Sequence, residues 1–233
     1  MSTTTDPVSL AQVVTSHRSG APWNNPPPRP RSADVPVAPE ARLLNPWPRD
    51  LPPASWATMP PDLWASVMRI QHALTERANP ILLVGAVGTG KSTTAALIAS
   101  TWPNWRFVAC ADLLCDLMQA RTSPTRTIER RVADGRKRTY TEGQLLDEMA
   151  AVPMLVLDDV GTAELTPPQE GVLLQLVNRR LGERQYRPLI VTTNTTETSL
   201  YAAVGHRIGS RLCREAGVVI KLEGGDRRRK KAK

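Results

Sequence analysis

Apolar residues along the middle of the chain fall into two rhythms, and their alternation outlines the fold. Leu63, Val67, Ile70 and Leu74 recur at helical spacing behind Pro60 and Pro61, which predicts a helix with proline at its start. "PILLVG" is a short apolar run closed by glycine and predicts a strand; "KSTTAALIAS" predicts a helix that stops before Pro103. "WRFVAC" reads as a second strand, after which Asp112 opens a helix with Leu113, Leu114, Leu117 and Met118 on one face. "TEGQLLDEMA" begins with Thr141 and Gln144 in capping-box spacing, and "MLVLDD" is an unbroken apolar run expected to be a fully buried strand. In "TPPQEGVLLQLVNRRL", Thr166 is the expected cap, Pro167 the first helical residue and Gly182 the residue just past the end. "RPLIVTTN" is the next strand, short helices surround Leu200 and Ile208, and "VVIKLEG" is the last strand. Strands alternating with helices predict an α/β fold, a parallel sheet sandwiched by helices, and no internal repeat is visible.

The N-terminal part follows neither rhythm. Fourteen of the 21 prolines lie in the first 61 residues, including "NNPPPRPR", and proline removes backbone donors that helices and sheets need. Residues 1–54 are therefore expected to be a disordered proline-rich arm, 55–226 the folded domain and 227–233 a basic tail. Trp23, Trp47 and Trp56 are unusual in such a segment and are candidate anchors for a partner protein. The alternative is that they cover an apolar patch of their own domain. A length of 233 residues suits one domain with an appendage.

Charge changes the picture because it is unevenly spread. The net charge is +8, yet 121–138 carries +5 and 221–233 another +5, so the remainder sums to −2. Two basic patches on a near-neutral body suit contact with a polyanion; a solvated charge run is the other reading of each. Cys110, Cys115 and Cys213 lack paired metal-ligand spacing and are expected to be reduced packing residues. No run approaches the roughly 18 apolar residues of a membrane span. The start "MSTTTDPVSLAQVV" lacks a basic, then apolar leader, so a cytoplasmic protein with no membrane partner is expected.

Three motifs carry chemistry. "GAVGTGKS", Gly85 to Ser92, matches the phosphate-loop pattern at every fixed position. Gly85, Gly88, Thr89 and Gly90 let backbone N–H groups close on phosphates, Lys91 reaches the terminal ones, and Ser92 binds Mg²⁺. ATP and Mg²⁺ are the expected cofactors. At the end of "MLVLDD", Asp158 is expected in the Mg²⁺ shell and Asp159 beside the attacking water. Asn194 closes "LIVTTN", where its amide can reach the γ-phosphate or the water; asparagine is also common where a strand merely turns.

The ordered series "GAVGTGKST", "FVACADLLCDLM", "YTEGQLLDEMAAVPMLVLDDVG", "LLQLVNRRLGERQYRPLIVTTN", "HRIGSRL" and "VVIKLEGGDRR" resembles the ATPase domain of DnaC/DnaI-type helicase loaders, over roughly 80–229. The resemblance extends to IstB-type transposition ATPases. Both are AAA+ phosphate-loop ATPases, a branch close to the replication initiator DnaA.

The resemblance implies an oligomer with ATP between subunits, nucleotide contacts that include Thr93, and an arginine finger at Arg211, one helical turn after Arg207. Arg227 matches a further family arginine near the nucleotide, although "DRRRKK" is equally a charged tail. It also implies an extra helical element over the basic stretch that ends near Tyr140, lining a channel for single-stranded DNA. The implied partner is a replicative DnaB-type helicase, or a transposase in the alternative reading. Asp159 stands where many AAA+ proteins have Glu, which implies slow hydrolysis. A small-molecule kinase and a non-hydrolysing DNA scaffold remain as competing readings; the Asp158–Asp159 pair, Asn194 and Arg211 weigh against the kinase.

Overall fold

The computed structural model describes residues 47–48, 51, 54–131, 136–182, 185–213 and 217–227. After short 3-10 turns at Trp56–Thr58 and Pro61–Leu63 come α1 (Trp64–Thr75), β1 (Ile81–Val84), α2 (Lys91–Ala99), β2 (Arg106–Ala109) and α3 (Cys110–Thr122). The chain continues through β3 (Thr127–Arg131), β4 (Lys137–Thr141), α4 (Glu142–Ala151), β5 (Leu155–Asp158), α5 (Pro167–Gly182) and β6 (Leu189–Thr193). It closes with α6 (Glu197–Val204), α7 (His206–Cys213) and β7 (Val218–Lys221).

Five strands form one parallel sheet in the order β2-β5-β6-β1-β7. The two-residue alternation of strand side chains divides the core between the sheet's faces. Leu82, Leu155, Leu157, Leu189 and Val191 pack with α3 to α7, whereas Ile81, Leu83, Val156, Ile190 and Ile220 pack with α1 and α2. Both faces are covered, which is why these strands read as unbroken apolar runs. Arg180, 1% exposed, donates to Ala150 O at 3.1 Å and to Pro188 O, placing its charge on carbonyls at the end of α4, where a cation is favoured.

Most predicted elements are present, including the reciprocal Thr141–Gln144 capping box. α3 begins at Cys110, two residues before the expected start, because it follows β2 without a loop. Gly182 is the last residue of α5 rather than the one beyond it.

The basic stretch is corrected more deeply. Its described residues form not an extra helix but the antiparallel β3–β4 pair, with Ile128 paired to Tyr140 and both buried against the core. Strand β4 is exposed at every position except Tyr140. Among the described residues one cross-strand apolar pair anchors the hairpin, so charges mask its period-two pattern in the sequence.

The tryptophans are also placed. Trp47, Leu51, Ala54 and Trp56 pack against the α1–α2 side of the core, and the Trp56 ring lies 5.9 Å from that of Trp64. Trp47 and Trp56 thus cover an apolar patch of their own domain and are not free anchors. Trp23, the rest of the expected arm and 228–233 lie outside the described residues. Among the described residues no helix is long and apolar enough to cross a membrane.

Candidate active site

The site forms where β1, β5 and β6 end beside the N-terminus of α2. Gly88 and Gly90 have φ of +80° and +96°, a left-handed region that side chains rarely adopt, and they fold the loop after β1 back toward α2. Gly85, Thr89, Ser92 and Thr93 complete this loop and the first helical turn. The ammonium of Lys91, buried at 4% exposure, donates to Gly85 O at 2.9 Å, Ala86 O at 2.8 Å and Asn194 Oδ1 at 2.6 Å.

Strand order explains the last of these bonds. Because β6 lies between β1 and β5, Asn194 stands between the phosphate loop and the carboxylates. Lys91 can only donate, so the Asn194 oxygen faces it and Nδ2 is left to donate to Asp159 Oδ1, at 3.0 Å. Lys91, Asn194 and Asp159 form one hydrogen-bonded chain across three strand ends.

Asp158 is buried, and Asp159, exposed, follows it with φ of +55°. Thr192 Oγ1 donates to Asp158 Oδ1 at 2.6 Å and accepts the Asp159 N–H at 2.9 Å. Burial raises the Asp158 carboxyl above its ordinary range, opposed by bonds from Thr192 and Ser92 and by the charge of Lys91, while the Asp159 charge adds to the rise. A buried carboxylate bonded to Ser92 is an oxygen donor set suited to Mg²⁺, and a divalent cation would relieve the penalty that burial places on its charge.

Arg227 reaches the loop from the other side of the chain. Its Nε donates to Thr89 O at 3.0 Å, its backbone N–H to Gly88 O at 3.0 Å, and its Nη2 to Asp62. The position a Cβ would take on Gly88 is filled by Asp226. Arg227 therefore holds the carbonyl side of the phosphate loop. The Arg227 bond also lowers the Asp62 carboxyl below its ordinary range, against a smaller effect of burial.

Arg211 is carried by a different element, α7. Ile208, Gly209, Leu212 and Cys213 of that helix are buried, leaving Arg211 half-buried and Arg207 exposed on its other side. The structure thus gathers Lys91, Ser92, Asp158, Asp159 and Asn194, seats Arg227 behind the loop, and sets Arg211 on a separate helix. Sequence reasoning missed Thr192 and Asp62. The first was hidden inside a strand motif, and the second resembled an ordinary acid in a first helical turn.

A family model described as AAA domain (dynein-related subfamily) matches residues 80–209. No curated protein sequence matches the chain. Among solved structures the fold is similar to DnaI, at 19% identity over 78% of this chain and 93% of that one, TM-score 0.55. It is similar to the DnaC helicase loader at 17% identity over 79% and 97%, TM-score 0.50. It is also similar to AMPPCP-bound DnaA from Aquifex aeolicus at 18% identity over 69% and 45%, TM-score 0.53. The chain spans less than half the length of that DnaA structure and of a DNA replication initiation factor, of which it covers 47%. At such identities the likeness is one of fold.

Proposed function

We propose, from the premise that this chain belongs to the AAA domain family, that it is an ATP-hydrolysing helicase loader that binds single-stranded DNA and delivers a replicative DnaB-type helicase. The observation that carries the ATPase reading is the Lys91–Asn194–Asp159 chain, which joins a phosphate-binding cation to a carboxylate through an amide. In this reading the loop N–H groups of residues 85–90, Lys91 and Thr93 bind the phosphates of ATP. Ser92 and Asp158 hold Mg²⁺, which neutralises phosphate charge when bound. Asp159 accepts a proton from, or orients, the attacking water, and Asn194 keeps that water and the γ-phosphate in line.

Arg211 acts on the nucleotide of a neighbouring subunit, so turnover requires self-association. An arginine supplied in this way is worth about 10³–10⁵ in rate in phosphate-loop enzymes. Arg227 acts through the loop it holds. The folded domain, with Trp47, Leu51 and Ala54 packed on it and Arg227 on its phosphate loop, is the motor; the arm before Trp47 recruits the partner, and the basic residues after Arg227 add charge.

Two observations support the DNA and loader part. The fold is similar to DnaC and DnaI over nearly the full length of those structures. Arg136, Lys137 and Arg138 are exposed in succession at and beside the start of β4, a run of cations on the surface. The test is a loading assay with ATP, single-stranded DNA and a replicative DnaB-type helicase. ATP-dependent transfer of helicase to DNA is expected. Binding to a transposase instead, with no effect on any helicase, would replace the loader reading by the transposition one.

A further inference from the structure

Thr192 has no exposed surface, and it lies in a strand whose Leu189, Ile190 and Val191 pack apolar side chains into the core. A threonine there keeps a hydroxyl in a dry site, which is unfavourable unless its hydrogen bonds are made. Both of its roles are taken. The Asp159 amide can only donate, so it occupies an acceptor position on Thr192 Oγ1, and the single hydroxyl proton goes to Asp158 Oδ1. The Thr192 carbonyl accepts the Val160 N–H at 2.9 Å. One residue therefore bonds the backbone on both sides of the left-handed Asp159, whose carboxylate in turn accepts from Asn194.

We propose that Thr192 is a positioning residue, in that its hydroxyl orients the Asp158 carboxylate while its hydroxyl and carbonyl together hold the turn that aims Asp159. The proposal rests on the ATPase reading of the site. It adds that the aspartates act as a unit set by the neighbouring strand. Asp158 is bonded by Ser92 as well, so the threonine proton fixes how that carboxylate is presented to the phosphate loop. A packing residue of the same shape would serve the core equally well without doing this.

Two substitutions separate the roles. T192V keeps the shape and strand preference and removes the hydroxyl; T192S keeps the hydroxyl and removes a methyl. Groups that orient a metal ligand typically change metal affinity or activity by about 10–100-fold when removed. T192V is expected to bind ATP without Mg²⁺ like the parent, to lose about 10–100-fold in the Mg²⁺-dependent gain of nucleotide affinity, and to lose turnover similarly. T192S is expected to keep both. T192V with parental Mg²⁺ dependence and turnover, alongside a damaged T192S, would overturn the proposal in favour of packing. If T192V does not fold, T192A replaces it, and equal damage in T192A and T192S is the overturning result. A parent protein that binds Mg²⁺-ATP but never hydrolyses it sinks the ATPase reading alone, because the Mg²⁺-dependent affinity still reports on Thr192.

Discussion

Asp62 and Arg227, 165 positions apart in sequence, form an ion pair beside the phosphate loop and bring both ends of the folded domain onto it. Arg227 is the more consequential partner, since it also bonds the loop carbonyls of Gly88 and Thr89, while Asp62 is largely exposed. Charged hydrogen bonds in such settings are worth about 1.5–3 kcal/mol, and an exposed ion pair below about 1 kcal/mol. Arg227→Ala should therefore lower stability by about 2 kcal/mol and weaken ATP binding, and Asp62→Asn should do less of each. The Asp62 carboxyl is held below its usual range in the folded state, so the unfolded chain takes up the proton more readily. Its stabilisation is present above about pH 4 and is lost as pH falls through the lowered folded value. Chemical denaturation of parent and Asp62→Asn at pH 7 and in stronger acid should show their difference shrinking on acidification.

The hydrogen-bonded chain across the strand ends assigns distinct losses to its members. Lys91→Ala should abolish nucleotide binding. Asp159→Asn should retain binding and reduce turnover about 10²–10⁴-fold, the usual worth of a group acting on the proton. Asn194→Ala, which removes the link between them, should lower kcat with little change in affinity. Equilibrium binding of a fluorescent ATP analogue and single-turnover hydrolysis separate these outcomes. Equal loss of affinity in the Lys91 and Asp159 variants would contradict the roles.

What the sequence conveyed depended on whether a feature is local. The phosphate loop and the apolar runs of β1, β5 and β6 are contiguous, so they and their terminal polar residues could be read directly. Thr192 could not, because its partners on β5 become neighbours only once β6 is inserted between β1 and β5. Arg227 read equally as a charged tail until Asp62 and the loop carbonyls appeared around it. The hairpin was lost because its inward pair, Ile128 and Tyr140, is outnumbered by charges. For Trp47 and Trp56 the sequence left capture of a partner and cover of their own domain both open, and the packing selects the second, because proline prevents regular structure but does not prevent an irregular segment from burying its rings.

Arg211 is half-buried on α7, one helical turn after the exposed Arg207 and on an element separate from the phosphate loop of its own chain, and its proposed action on a neighbour starts from that separation. Arg211→Ala and Lys91→Ala should each be inactive alone, and mixing them should restore part of the ATPase activity, since one interface then pairs an intact loop with an intact arginine. The absence of rescue at every mixing ratio, with oligomers verified by light scattering, would count against action between subunits.

The cations of the basic stretch should divide by function. Arg121 near the end of α3 forms a two-bond pair with Glu142 at the start of α4, joining the helices on either side of the hairpin, and Arg130 of β3 lies 3.0 Å from Asp116 of α3, tying the hairpin itself to a helix. Arg130→Ser should lower the melting temperature, because Asp116, whose carboxyl burial already raises, loses its partner. Arg136, Lys137 and Arg138 are exposed, and replacing all three by serine should leave melting nearly unchanged. Each phosphate contact on a single strand contributes about 0.7 to the slope of log affinity against log salt, so the triple variant should flatten that slope by up to about 2. An unchanged slope would move DNA binding away from the hairpin.

The arm divides at Trp47. From that residue onward Trp47, Leu51, Ala54 and Trp56 pack on the domain, and the Trp56 ring lies tilted beside that of Trp64 over the α1–α2 core. Burying part of an indole is worth about 2 kcal/mol, and in a domain of this size 1 kcal/mol shifts melting by about 2–4 °C. Trp56→Ala should therefore lower the melting temperature by about 4–8 °C, and deletion through Thr58 by more. Deletion of residues 1–46 should not lower it, because it leaves this packing untouched. That shorter deletion isolates the proposed recruitment role, since it removes Trp23 and most of the prolines while ATP and DNA binding should persist. Segments stiffened by proline lose little further entropy when they dock, which suits them to capture a partner at a few large rings. The 1–46 deletion should then fail to retain the helicase in co-sedimentation with ATP present. If it retains the helicase at parental strength, recruitment by the arm is wrong, and the contact lies on the folded domain, where Trp47 and Trp56 are already committed to the core.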